Sequence, residues 1–402
     1  SMYTNLAILA VLVFLYSLIA RRFENSIISG PIIFVSAGLL LGPLAFDWLK
    51  SDITGSGLRV IADLTLALVL FIDAANVNLK IVKHTKYIPL RMLLLGLPGV
   101  ILFGTIVGTL LLLELTLFEV AVLATVLAAT DAALGKAVIT NKVVPERIRE
   151  GLNVESGLND GLCVPILFVF LALAEGSVGE GKPMMLAVTL VAEELGIGLI
   201  IGLGFTMVAA WLFKFCKNRG WVSEIWMPVT AVALAIGCFA TAQNLHGSGY
   251  IAAFSGGLLF GHLMGKSTHE LIIGAEGLGE TLAMLTWILF GTVVISRVVG
   301  TFTWEMLLYA GLSLTIIRML PIYLCLRGTG EPVSSRLFLG WFGPRGLASI
   351  VFAVIVMEHD LPGSRYIAMV VVCTVFFSLV LHGLSATLLS KWLGGKEKTI
   401  QP

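Results

Sequence analysis

Apolar segments close to bilayer-crossing length recur about thirteen times along the chain, with short polar stretches between them. Their expected bounds are 5–20, 27–46, 58–78, 88–113, 118–139, 152–174, 184–213, 226–244, 249–264, 271–296, 304–326, 336–357 and 365–390. The pattern predicts an all-α polytopic membrane protein in which 1–402 forms one membrane domain. Two spans carry interruptions. In the fifth, Ala128-Ala129-Thr130-Asp131-Ala132-Ala133-Leu134-Gly135 gathers small residues around a charge. In the twelfth, Gly340-Trp341-Phe342-Gly343-Pro344-Arg345-Gly346 sets proline, glycine and arginine inside an apolar run. Interrupted segments in corresponding halves are the best sequence pointer to a transporter site. The fifth and twelfth spans have opposite orientation, as an inverted repeat of spans 4–6 and 11–13 requires.

Composition agrees with the pattern. The chain of 402 residues is 57% hydrophobic and 13% charged, against about 25% charged in an ordinary soluble domain. Net charge is +1, so no basic field points to nucleic acid. Placement of the charges is more informative. Of the 26 Lys and Arg, eighteen fall on one set of loops and the C-terminal tail, five on the opposite set, and Lys136, Arg318 and Arg345 within spans. By the positive-inside bias, the N-terminus is expected outside and the C-terminus in the cytoplasm. The first apolar run ends at Arg21-Arg22 rather than at a small-residue cleavage site, so it is expected to be retained. Ser1 ahead of Met2 reads as an expression scar. The five cysteines are widely spaced in apolar surroundings and read as packing residues.

Within the spans, the sixth carries the densest chemistry. Glu155-Ser156-Gly157-Leu158-Asn159-Asp160 places two carboxylates, a hydroxyl and a carboxamide in six residues. At helical spacing Glu155, Ser156, Asn159 and Asp160 occupy a sector of about 140°. Charged groups inside a bilayer are costly and mark pathways. Asp131, Glu155 and Asp160 face Arg318 and Arg345 in number, an excess of carboxylate that suits a cation. Carboxylate, hydroxyl and carbonyl oxygens favour a hard cation, and a carboxylate also takes a proton. Asp73, nearer the cytoplasmic end of the third span, is a further candidate, although an interfacial acid is the plainer reading of it. Asp131 also has a plain reading: at a helix break it compensates the positive ends of half-helices.

These residues carry a resemblance. Thr130-Asp131, Glu155-Ser156-Gly157-Leu158-Asn159-Asp160-Gly161, Gly249-Tyr250-Ile251-Ala252-Ala253-Phe254 with Gly256-Gly257, and Gly343-Pro344-Arg345-Gly346 resemble sodium/proton antiporters of the NhaP/NHE type, in the monovalent cation:proton antiporter superfamily. The resemblance implies an NhaA-like antiporter fold with two broken, crossing helices. It implies a mobile core at 88–174 and 304–390 (spans 4–6 and 11–13) and a scaffold and dimerisation region at 1–78 and 184–296. Asp160 would bind cation and proton alternately. Asn159 before it goes with electroneutral one-for-one exchange. Na+ would be held by Asp160, Asp131, Ser156 and the main-chain carbonyl of Thr130, with Asp73 completing the shell. Glu155 would pair with Arg345 in a structural ion pair, with Arg318 close by. Two positions depart from the common pattern: Ala132 follows the Thr-Asp pair in place of proline, and Asp73 stands where Glu is frequent.

The expected activity is exchange of Na+ or Li+ for H+ across the plasma membrane, with K+/H+ antiport on the same scaffold as the alternative. The expected partners are monovalent cations, protons, the lipid bilayer and a second copy of the chain. No cofactor and no nucleic acid are expected, and no phosphate loop of the Gly-x-x-x-x-Gly-Lys-Ser/Thr type occurs. A channel is a lesser alternative, since broken helices around a carboxylate favour alternating access. An intramembrane protease is the least favoured. Ser248 in His246-Gly247-Ser248-Gly249 lies at a loop edge, and no Gly-x-Gly-Asp sequence accompanies the aspartates. The histidines form no cluster in the sequence.

Overall fold

The computed structural model describes residues 2–24, 26, 28–49, 55–77, 85, 87–178, 184–298 and 300–400. Lys50, Lys80, Lys83, Lys86 and Lys182, which contribute to the loop bias, lie outside the described residues. The described chain is helical throughout its ordered elements. Eight helical runs are long and apolar enough to cross a membrane, and Gly30–Leu41, Leu117–Ala128 and Leu347–Glu358 are shorter apolar helices. Each expected span coincides with a helix or an interrupted helix pair.

The interruptions differ in kind. The fifth span ends its first half at Ala128, passes through an extended Ala129, and resumes only as the single turn Lys136–Ile139. The twelfth is two helices, Val333–Trp341 and Leu347–Glu358, joined by the unwound residues 342–346. An unexpected third interruption lies at Thr315, between Trp304–Leu314 and Ile316–Cys325 in the eleventh span. The sixth span, by contrast, is one helix from Glu146 to Val178 with Pro165 inside it. Single π-helical turns at Met92–Gly96 and Phe290–Ile295 widen the fourth and tenth spans.

By packing, the chain divides into two compact units. The first comprises 1–60, 80–156 and 283–402, and the second 61–79 and 157–282. In the first unit, the fifth span opens with a capping box. Thr116 accepts from Glu119 N at 3.3 Å, and Glu119 Oε2 accepts from Thr116 N at 2.9 Å. Glu119 is buried, and its other oxygen accepts from Gly363 N at 2.8 Å, tying this helix start to the turn before the thirteenth span. Arg147 grips Glu331 through two bonds of 2.8 and 3.0 Å, joining the start of the sixth span to the loop before the twelfth. Arg91 donates to the carbonyls of Cys325 (3.2 Å) and Arg327 (2.6 Å), which satisfies the C-terminal end of the eleventh span.

In the second unit, the glycine-rich ninth span has a packing role. Gly257 and Gly261 lie one turn apart and abut the third span at the carbonyl oxygens of Phe71 and Ala75; a Cβ at either position would overlap main chain. Small residues of this spacing let helix backbones approach within a bilayer, where the hydrophobic effect no longer drives association. Tyr250 at the head of the same helix donates to Asp63 of the third span, and its ring lies against Phe239 and Phe168. A methyl group at Gly257 therefore has nowhere to go. Gly257→Ala is expected to lower stability by about 1–3 kcal/mol through overpacking. Gly277→Ala, at a helical glycine with open space around it, is expected to be neutral or stabilising. Thermal unfolding of both variants in detergent checks the contrast.

Candidate functional site

The break in the fifth span and the break in the twelfth meet within the first unit. Asp131 N donates to Pro344 O at 2.7 Å, so main chain of one break pairs with main chain of the other. The Asp131 carboxylate then serves two helix starts. Oδ1 accepts from Ala133 N (2.8 Å) and Leu134 N (3.2 Å) of its own break, and Oδ2 accepts from Leu347 N at 2.9 Å, the first residue of the second half of the twelfth span. This is the compensation of positive helix ends that a negative charge at a break performs. Ala132 leaves Asp131 beside no proline; the unwound chain is held open by these bonds instead. A Cβ at Gly346 would overlap the Asp131 carboxylate, so the approach requires glycine at that position.

Arg345 performs the converse task. Its guanidinium donates to Leu127 O, at the C-terminal end of the first half of the fifth span, and to Ser313 O at 2.9 Å, at the end of the first half of the eleventh. Further bonds reach Ser313 Oγ (2.9 Å) and Gly343 O (2.9 Å). Carbonyls left over at a helix C-terminus carry partial negative charge, and a buried arginine satisfies several at once. Ser349 adds a bond to Val126 O at 2.9 Å.

Glu155, at the fully buried end of the first unit's part of the sixth span, is held by Arg318 in a two-pronged pair of 3.1 and 3.3 Å. The sequence reading coupled Glu155 to Arg345 and left Arg318 nearby; in the structure Arg318 supplies the two-pronged grip. Its Nε also donates to Gly340 O at 3.1 Å and Nη2 to Leu339 O at 3.5 Å, which satisfies the end of the first half of the twelfth span. Gly343 clears space for this side chain, since a Cβ there would overlap the guanidinium. Thr130 Oγ1 donates to Ser156 Oγ at 3.3 Å, bringing the fifth-span break to the sixth span. Both residues are buried.

The remaining candidates belong to the second unit. Asn159 and Asp160 are buried on the continuation of the sixth helix, and Cys163 Sγ donates to Asn159 Oδ1 at 3.5 Å. Ser156 and Asp160 are four residues apart on that unbroken helix and so share a face. Gly161, next to Asp160, packs directly against the Phe254 ring of the ninth span. Asp73 is half-buried on the third span. A Cβ at Gly157 would lie 3.5 Å from the Asp73 carbonyl oxygen, so the main chain at Asp73 borders the sixth helix one turn before Asp160.

One residue escaped the sequence reading. His382, in the thirteenth span, is buried and bonds through Nε2 to Trp341 O (2.8 Å) and through Nδ1 to Ser378 Oγ (2.8 Å). The signal was present as a polar stripe of Ser378, His382 and Ser385 at helical spacing in an apolar span.

With this geometry in view, comparison with known proteins is decisive. The family described as sodium/hydrogen exchanger, transmembrane, matches residues 8–392. The chain belongs to that family. Members of that family are transporters and not enzymes. The chain is 26% identical over 398 residues to the K(+)/H(+) antiporter NhaP of Alkalimonas amylolytica, an alignment that covers 97% of this chain and 67% of that protein. It is 23% identical over 385 residues to the K(+)/H(+) antiporter NhaP2 of Shewanella sp. strain ANA-3, covering 95% of this chain and 65% of that one. The Na(+)/H(+) antiporter of Schizosaccharomyces pombe is 23% identical over 304 residues, covering 68% of this chain and 64% of that one. The chain thus spans about two thirds of the length of these relatives. Its fold is that of the sodium proton antiporter MjNhaP1 from Methanocaldococcus jannaschii, with a TM-score of 0.77, 19% identity, and coverage of 98% of this chain and 99% of that one.

The buried Glu155–Arg318 pair makes a stability prediction. Removing one partner leaves the other charge uncompensated, so Glu155→Gln or Arg318→Gln is expected to cost about 3–5 kcal/mol. The apolar pair Glu155→Leu with Arg318→Met is expected to recover the part of that loss due to the uncompensated charge, but not the part due to the Gly340 and Leu339 carbonyls that Arg318 also bonds. Unfolding midpoints of the two single variants and the double variant in detergent test the coupling.

Proposed function

We propose that the chain exchanges Na+ or Li+ for H+ across the plasma membrane, one for one, with Asp160 binding cation and proton in turn. The observation that carries this reading is the buried Asn159-Asp160 pair on an unbroken helix, one turn beyond Ser156, which itself bonds Thr130 of the fifth-span break. Asp160, Ser156 and the Thr130 carbonyl supply oxygen ligands suited to a hard cation. Asp131 contributes chiefly charge. Three N–H groups already occupy its carboxylate, and a carboxylate has only about four acceptor positions, so it offers the ion one lone pair or binds it through water. Asp73 takes part through water, its side chain being one methylene shorter than Glu. Asn159 orients and sets the charge of the pair, which leaves a single exchanging carboxylate and an electroneutral cycle.

The N-terminus lies outside and the C-terminus in the cytoplasm, on the strength of the Lys and Arg bias of the loops. Spans 4–6 and 11–13 move against a scaffold of spans 1–3 and 7–10, through which two copies associate and keep cytoplasmic pH in balance. A second reading, K+/H+ exchange, has specific support: the NhaP and NhaP2 relatives carry that activity in their names. Sodium and potassium differ in the oxygen cage they fit, not in the residue types that build it.

Reconstitution in liposomes with an imposed pH gradient tests both. Lumenal pH should respond to Na+ or Li+ more than to K+ in the wild type, and Asp160→Asn should abolish the response. Proton movement surviving in Asp160→Asn overturns the site, and a stronger response to K+ selects the second reading. A rate that follows membrane potential under a potassium/valinomycin clamp overturns the electroneutral cycle. Because one carboxylate serves both ions, the apparent KM for Na+ should rise as pH falls, approaching about tenfold per pH unit at the acid limit of simple competition. Initial rates measured over a range of pH and Na+ concentration check that slope.

A further inference from the structure

The thirteenth span presents Ser378, His382 and Ser385 as one stripe, at the i, i+4, i+7 spacing of a helix face. Every one of them bonds to the break in the twelfth span. Ser385 Oγ accepts from Trp341 Nε1 at 2.9 Å, His382 Nε2 meets Trp341 O at 2.8 Å, and Ser378 Oγ accepts from Arg345 N at 2.8 Å. His382 Nδ1 closes the chain to Ser378 Oγ at 2.8 Å. Trp341 ends the first half of the twelfth span and Arg345 lies just before the second, so the bonds reach both ends of the unwound segment.

We infer that His382 is a positioning residue for Arg345: with Ser378 it straps the unwound segment 342–346 to the thirteenth span. Trp341 O can only accept, so Nε2 carries a proton; in a neutral ring Nδ1, which lies 2.8 Å from Ser378 Oγ and 3.1 Å from Ser378 O, is then the acceptor. Ser378 accepts from Arg345 N and passes its own hydrogen to Nδ1. The neutral Nε2–H tautomer thus satisfies the whole chain from Trp341 to Arg345. The imidazole ring also packs between Trp341 and Phe342, with ring centroids 4.9 and 6.0 Å away. A ring that merely filled space would need none of these bonds. The strap fixes the main chain that aims the Arg345 guanidinium at Leu127 and Ser313, and so fixes the fifth-span break beside Thr130 and Asp131.

The transport readout rests on the exchange reading; a second readout does not. His382→Phe keeps an aromatic ring and removes both bonds, His382→Gln restores a donor toward Trp341, and Ser378→Ala cuts the link to Arg345. In proteoliposomes of folded, monodisperse protein, His382→Phe and Ser378→Ala are each expected to raise the apparent KM for Na+ about two- to tenfold, the equivalent of one lost hydrogen bond, with Vmax changing less. Gln should recover part of the loss. The double variant His382→Phe with Ser378→Ala should be no worse than the weaker single variant, because both cut one chain. Independently of transport, ring nitrogen shifts of ¹⁵N-histidine should show His382 as the Nε2–H tautomer, and hydrogen exchange at the Arg345 amide should accelerate in Ser378→Ala. An unchanged KM with only a lowered melting point, multiplicative effects in the double variant, or an Nδ1–H tautomer overturns the strap. A wild type that moves no protons in response to cations overturns the exchange reading instead, and the tautomer and amide measurements still decide the strap.

Discussion

A helix that stops inside a bilayer leaves amide hydrogens or carbonyl oxygens that water cannot reach, and the protein must satisfy them internally. Here the two broken spans satisfy one another. The fifth supplies a carboxylate, Asp131, to the amide end of the twelfth, and the twelfth supplies a guanidinium, Arg345, to the carbonyl end of the fifth. A main-chain bond from Asp131 to Pro344 locks the two breaks at one level. Neither break is tenable without the other. Arg318 extends the same arrangement, closing the first half of the twelfth span while holding Glu155 of the sixth.

This changes how the buried charges are to be read. Counted in the sequence, three acids against two arginines leave a surplus for a cation. In the structure Glu155 is matched to Arg318, and Asp131 is matched to backbone dipoles rather than to an arginine. Arg345 in turn is bonded to carbonyl oxygens of three residues. The balance therefore includes helix ends as well as side chains. The carboxylate on which the exchange proposal turns lies on the sixth helix, which runs on unbroken from Glu146 to Val178. The two interrupted spans thus bond to one another at their breaks, and the fifth-span break meets the sixth helix through Thr130 and Ser156.

The spans were legible in the sequence because bilayer thickness imposes length and apolarity, and the two main breaks because glycine, proline and charge interrupt an apolar run. The break at Thr315 was not, since Gly311 and Pro321 lie about a turn or more from it; a carbonyl end bonded by an arginine 32 residues away sustains it. The π turns at 92–96 and 290–295 leave the hydrophobic pattern unaltered and so leave no trace. That Arg318 supplies the two-pronged grip on Glu155 was a question of side-chain reach, which residue types in an apolar run do not encode. Asp131 was legible in both its readings, and its bonds to Ala133, Leu134 and Leu347 are those of the plainer one. His382 was overlooked because histidines were weighed as a cluster rather than along the helix face that Ser378 and Ser385 define.

The crossing also bears on how such a chain is made. Leu127 and Arg345 are 218 residues apart, and Asp131 and Leu347 are 216 apart. Synthesis runs from the N-terminus at about 5–20 residues per second. The fifth span thus leaves the ribosome about ten seconds or more before the residues that complete its break exist. Through that interval its open carbonyls and its aspartate must find provisional partners in lipid headgroups, water or the insertion machinery. The half-helix can settle at its final depth only when the twelfth span arrives. Completion of the paired breaks is in this sense a late event, since neither is satisfied until the twelfth span has been made.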